Sequence, residues 1–293
     1  MSAPAAATGA PDPAAAHRLW RTIEPLHAVT YFAEECLDAH AAAGLRGFWM
    51  GYFAGRAAPL GAVGPGVVTA IFFGFHPDRV RRALPDAWSY AAPSDVLVER
   101  RQAAAGVLRT RVPAVEELAG RWEPALSQAV EAADGGGRPL FAANRDLEVP
   151  DDPVEALWHA CTCLREQRGD GHVALLAAEG LDGCEANVLA AAVKGIPEEV
   201  IRESRGWSPE EWGAATGRLA GRGLFDPDGA LTDEGVDLHR HIEHRTDELA
   251  GRPYESLGHQ RVTGLLEALL PAARAVAPVI RFPNPMGLPP PPA

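Results

Sequence analysis

Apolar residues recur at helical spacing along most of the chain, and between Arg205 and Asp237 that periodicity is framed by clear start and stop signals. Trp212, Ala215 and Leu219 share one helical face. The helix starts at Ser208, whose hydroxyl can accept from the first free backbone N–H groups. Pro209 follows with no N–H to satisfy, and Glu211 can reach back to the cap, so the three specify a capping box. Gly223 stands where the chain must turn left-handed to leave the helix. Leu224-Phe225 and Ala230-Leu231 then flank Asp226-Pro227-Asp228-Gly229, whose turn chemistry predicts a small two-stranded wing, and Thr232 can cap the next helix. Helix, wing, helix is half of a winged helix.

The same pattern extends in both directions. Asp12-Pro13 starts a helix with Trp20, Glu24, His27 and Tyr31 on one face, and Pro25 should kink it. Asp152-Pro153 starts another. Beyond Glu234 a long helix follows, then a helical pattern around Leu265 to Val276, then a tail whose Pro283, Pro285 and Pro289 to Pro292 predict an extended strap.

The chain also matches itself. His27 to Phe32 lies over His159 to Leu164, and Gly74-Phe75-His76-Pro77 lies over Gly206-Trp207-Ser208-Pro209, both at an offset of 132 positions. Ala42 to Gly47 lies over Ala178 to Gly183 at an offset of 136. Three blocks in one order predict an internal duplication. The expected organisation is a disordered N-terminus over 1–12, a first winged-helix-like half over 13–132, a linker over 133–152, a second half over 153–250, and a C-terminal helix and strap over 251–293. In the first half Leu84 to Ser89 stands where the wing should be. In the second, Gly213, Gly217 and Gly221 leave one helical face bare, which suits close helix packing.

These motifs carry a resemblance. Together with Glu24 to Phe32 (E-P-L-H-A-V-T-Y-F), Gly44 to Gly61, Arg205 to Trp212 (R-G-W-S-P-E-E-W) and Pro283 to Pro289, the chain resembles the MarR-like winged-helix proteins, in particular an actinobacterial family of fused tandem helix-turn-helix proteins. The resemblance implies a mainly α fold with a small β wing, arranged as an internally duplicated pseudo-dimer. It does not imply a reaction.

Charge changes the picture more than size does. Of 293 residues 39 are acidic and 27 basic, a net charge of −12, so no global positive field draws the chain to nucleic acid or to anionic membranes. Glu210 and Glu211 also occupy the helix end that would approach phosphates. DNA is therefore a disfavoured partner, although the resemblance points to it. Cys36, Cys161, Cys163 and Cys184 form no C-x-x-C pair, the N-terminus has no export signal, and no run looks apolar enough to span a bilayer, so a cytoplasmic protein is expected.

The candidate chemistry lies in the first half. Glu24, His27 and Tyr31 are the candidate catalytic residues, and His27, Tyr31, Arg46, Trp49, Tyr52, Phe53 and Arg56 the candidate ligand-binding set. The 136 offset places Phe48, Trp49 and Tyr52 over Cys184, Glu185 and Val188; one copy is aromatic where the other is small or charged, which suits an asymmetric pocket between the halves. The competing reading is plain core. His27 and His159 are the only metal or haem candidates, and His239, His241 and His244 read as a solvated face. No cofactor is required, and no phosphate loop, G-x-S-x-G or H-E-x-x-H is present. The expected function is a sensor, sequestering protein or degenerate regulator, monomeric or dimeric, that binds a small apolar or aromatic molecule. A DNA-binding regulator and an enzyme or haem protein using His27 are the alternatives.

Overall fold

The computed structural model describes residues 12–280 and 282–292. The disordered N-terminus expected over 1–12 lies outside the described residues except for Asp12, which caps the first helix by accepting from the Ala14 N–H at 3.2 Å. That helix, α1 (Pro13–Phe32), passes through Pro25 without ending. It is followed by α2 (Glu34–Ala42), α3 (Gly47–Ala57), α4 (Pro65–Phe72), the five-residue α5 (Pro77–Arg81), α6 (Pro93–Arg111) and α7 (Val115–Ala132). The span 133–152 carries α8 (Pro139–Arg145), whose Leu140 and Phe141 are fully buried. Then come α9 (Pro153–Ala178), α10 (Gly183–Lys194), α11 (Glu198–Arg205), α12 (Pro209–Gly221), α13 (Asp233–Gly251) and α14 (Gly258–Val276).

Local signals place the starts well. Asp152 caps α9, Asp182 with Glu185 closes a capping box on α10, and Ser208 with Glu211 closes the one expected on α12. The matched positions keep their local roles: His27 and His159 lie on the helices opened by Asp12-Pro13 and Asp152-Pro153, and Pro77 and Pro209 each open a helix.

The wing is the correction. Among the described residues there is no strand or sheet, only one isolated antiparallel bridge between Phe225 and Leu231. The predicted turn does form: the Asp226 N–H donates to the Ala230 carbonyl at 2.8 Å, and Gly229 adopts a φ of 82°. Its arms are too short to become strands, which need about three residues or more. Leu224 and Phe225 are drawn into the core, and Thr232 already caps α13. In the first half a short 3-10 turn, Asp86–Ser89, occupies the equivalent place. The fold is helical and of helix-turn-helix type, and the pseudo-dimer of winged helices is not what the chain builds. The glycine face of α12 is a second correction: a Cβ added at Gly213, Gly217 or Gly221 would meet nothing within 4 Å, so the face is open, not packed against a helix.

Three apolar clusters hold the molecule. The central one joins α1, α6, α7, α9 and α14 through residues such as Leu19, Leu126, Trp158 and Leu265. A second gathers Phe53, Phe72, Phe75 and Leu84 of the N-terminal helices, and a third gathers Leu189, Ile201, Trp212 and Leu219 of the C-terminal ones. An 18-residue window within Asp233–Val279 reaches a mean hydropathy of 1.4, enough by length and composition to cross a bilayer and contrary to the sequence reading. Within it α14 packs Leu265, Leu269 and Val276 into the central cluster.

A cavity between the helix-turn-helix segments

The second and third clusters do not fuse, and a cavity of about 220 Å³ lies in the seam, floored by α9. Tyr52 and Arg56 of α3 face it from one side, and Leu189, Lys194, Ile201 and Arg205 of α10 and α11 from the other. His239, Ile242 and Glu243 of α13 close a third side, and Pro285, Met286 and Gly287 of the tail cover it.

The seam is bridged by polar contacts at one end. The Gly74 carbonyl accepts from Asn187 Nδ2 at 2.7 Å and from Trp207 Nε1 at 3.0 Å, while the His76 N–H donates to the Arg205 carbonyl at 2.9 Å. Phe73, just before, is held at a φ of 48°, a conformation that costs a non-glycine residue and persists only where its surroundings impose it. Gly183 faces it: a Cβ there would lie 2.1 Å from the Phe73 carbonyl oxygen, so only glycine allows this approach. The start of α12 meets α5 across the same seam, with His76 Nε2 at 3.0 Å from Glu211 Oε1.

Most charge around the cavity is answered. Arg56 donates from Nε and Nη2 to the two Glu166 oxygens at 3.0 Å each. Arg165 bridges Glu24, at 3.1 and 3.2 Å, and Glu166, at 2.8 Å. Burial opposes ionisation of Glu166, but Arg165 and Arg56 outweigh it and hold the carboxyl well below the usual range. Arg168 meets Glu243 at 3.0 Å and Asp247 at 3.1 Å. Burial also opposes the charge on Glu243, yet His172 and Arg168 bring its pKa to about 2. Two cations stand apart, since among the described residues neither Lys194 nor Arg205 makes an ion pair. Burial lowers the Arg205 pKa, and its Nε has no hydrogen-bond partner.

Of the residues singled out in the sequence, Tyr52 and Arg56 line this cavity, and Glu24 lines a smaller adjoining pocket of about 130 Å³ with Arg165 and Lys194. His27 and Tyr31 are buried between α1 and α9: His27 Nδ1 lies 3.0 Å from Thr162 Oγ1, its Nε2 lies 2.9 Å from the Tyr31 hydroxyl, and its ring stacks on Trp158. Burial, reinforced by Arg165, pulls the His27 pKa well below its ordinary value. His159 sits 3.6 Å from Cys163 Sγ, and burial lowers its pKa to about 4. Among the described residues no three His, Cys, Asp or Glu side chains converge on a point that could hold a metal. Phe53 is fully buried, Trp49 is half-buried with the Arg79 guanidinium 4.6 Å from its ring centre, and Arg46 is exposed over Tyr90. His241 and His244 are exposed, whereas His239 faces the cavity.

Sequence reasoning missed Arg165, His172, Lys194, Arg205 and Glu243. One signal was available, since Lys194 is the only lysine in the chain.

The helix-turn-helix surface differs in character. The Arg218 guanidinium on α12 meets Asp182 at 2.6 Å and Glu185 at 2.7 Å, and Arg222 donates to the carbonyls of Glu179 and Gly180. Both cations are engaged within the molecule. Neither the curated proteins nor the solved structures yield a match. The model of the Helix-turn-helix family matches residues 16–283, nearly the whole chain, and its span takes in every helix that lines the cavity but not Pro285, Met286 and Gly287 of its cover. The chain therefore belongs to the Helix-turn-helix family.

Proposed function

We propose that this helix-turn-helix protein binds a small molecule with an apolar or aromatic body in the cavity between its two helix-turn-helix segments, and works as a sensor, sequestering protein or degenerate regulator. The observation that carries the reading is the unfused seam itself, where Phe72, Ile201 and Ile242 stand beside cations around a partly open cavity. Pockets of this kind bury an apolar body and orient it by a few polar groups. The sequence motifs favour kinship with MarR-like and actinobacterial regulators, and four unpaired thiols suit a reducing cytoplasm. Native mass spectrometry of the protein purified from its own cells tests the reading. A bound metabolite lost in a Tyr52→Trp variant, which fills the cavity, supports it; identical masses under native and denaturing conditions, with no metabolite shifting the melting temperature, overturn it.

Family membership favours a second reading, a DNA-binding regulator. Against it stand the net charge and the engaged arginines of α12, because duplex affinity grows with free cations that displace counterions. We expect no tight, sequence-specific duplex binding at physiological salt, and a nanomolar operator found by gel shift would reverse the order of the two readings.

A further inference from the structure

The tail is a preformed cover. Asn284, almost fully buried, donates from Nδ2 to the Leu288 carbonyl at 2.9 Å and accepts from the N–H groups of Met286 and Leu288. Gly287, at a φ of 64°, closes the turn. Met286 and Leu288 seat it in the second apolar cluster. Its polar ties to the body run through arginine side chains: Arg205 to the Pro285 carbonyl at 2.8 Å, Arg274 to the Pro292 carbonyl at 2.9 Å, and Arg21 to the Pro290 carbonyl. Among the described residues no main-chain hydrogen bond joins 282–292 to the rest of the chain. The cover separates the cavity from an outer groove, and Lys194, exposed at the rim, lines both.

Beneath this cover the arithmetic of charge is uneven. Arg56, Arg165 and Arg168 each have a carboxylate, while Lys194 and Arg205 have none within ion-pair distance. The partners of Arg205 are neutral, the Pro285 carbonyl and the Phe75 ring 4.3 Å from its guanidinium, and its Nε is orphaned. A part-buried guanidinium without an anion loses hydration that no opposite charge replaces, and its planar fork matches an oxyanion. Hydrogen bonds to an ionised acceptor are roughly twice as strong as those to a neutral one.

We propose that the molecule taken up in this cavity carries an anionic oxygen group, a carboxylate or a phosphate, bound by Arg205 and Lys194 beneath the C-terminal strap. This rests on the cavity being a ligand site, and it adds the class of ligand.

The test is calorimetry on the full chain with four probes: 3-phenylpropanoate, its neutral amide, phenyl phosphate and inorganic phosphate. The expected result is binding of at least one anionic aromatic probe, at least tenfold weaker binding of the amide, and a further tenfold loss in both Arg205→Met and Lys194→Met. Comparison of the carboxylate with the phosphates decides which group the site prefers. Lys194 is at the rim, so Lys194→Met keeps the test valid if Arg205→Met does not fold. Amide binding as tight as that of the acid overturns the anionic class and leaves the cavity reading standing. Anion binding unchanged in both variants places the anion elsewhere and overturns the proposal. Failure of every anionic probe at millimolar concentration overturns it too, and the native mass measurement then decides whether the cavity binds anything.

Discussion

Two regions on α9 are both rich in buried polar groups, and they differ in how those groups are answered. Where α9 crosses α1, His27 has a partner on each ring nitrogen, and from there Glu24, Arg165, Glu166 and Arg56 of α3 form a continuous chain of ion pairs that reaches the cavity wall. In the partly open cavity beyond, Lys194 and Arg205 stand without a carboxylate of their own. At the crossing the charges are answered by one another, whereas Arg205, part-buried, and Lys194, at the exposed rim, present cations to the cavity that no carboxylate of the chain answers. The crossing is thus built as structure and the cavity as a site, although the sequence candidates fell mostly on the crossing.

The most severe way to break this contrast is Glu166→Ala. It strands Arg56 in the interior, leaves Arg165 with Glu24 alone, and should cost about 3–5 kcal/mol, read from chemical denaturation. A loss below about 1 kcal/mol would mean that the chain of ion pairs is not structural.

Acid should act on the same region next. Burial holds the pKa of His159 and of His172 at about 4, so below about 6.5 the unfolded chain binds protons that the folded chain refuses, and stability falls as pH drops from there to about 4. Glu243, held at about 2, adds stability that is present above the unfolded glutamate value and lost as pH falls through about 2. Asp170, raised to about 6 by burial and by Glu166, works in the opposite sense and softens the slope between 6 and 4. Denaturation midpoints should be flat from pH 7 to 8 and decline from 6.5 downward, and His159→Leu should flatten the first part of that decline. A midpoint that stays level from pH 7 to 5 would contradict the buried, neutral histidines.

On the cavity side, Arg205→Met and Lys194→Met should each change stability by less than about 1 kcal/mol, because neither removes a partner from a carboxylate. A loss comparable to that of Glu166→Ala would erase the distinction between the two regions. The smallest effect belongs to the open face of α12. Gly213→Ala and Gly217→Ala add a methyl to free space within a helix, and each should raise stability by about 0.5–1 kcal/mol. A drop in thermal melting with either would show that something covers that face.

The elements legible in the sequence were those whose cause is local. Ser208-Pro209-x-Glu211 starts α12 because cap, proline and glutamate lie within four residues, and Asp152-Pro153 and Thr232 start α9 and α13 for the same reason. The stripe of Tyr52 and Arg56 was found because helical spacing puts both on one face. The wing was misread because turn chemistry fixes a reversal without fixing what the arms do afterwards. Leu224 and Phe225 had a better destination in the third apolar cluster than in a strand.

By itself, then, the sequence determined the helix starts, the helix-turn-helix segments and the acidic balance, since these depend on neighbours a few positions apart. Only the tertiary structure decided which charges are answered. Arg56 finds Glu166 and Arg165 finds Glu24 across more than a hundred positions, whereas Arg205 finds a carbonyl of the tail and the face of Phe75 but no carboxylate. Helical periodicity says which face a side chain occupies but not what is packed against it, and that pairing, not the residue type, separates a structural arginine from one free to hold a ligand.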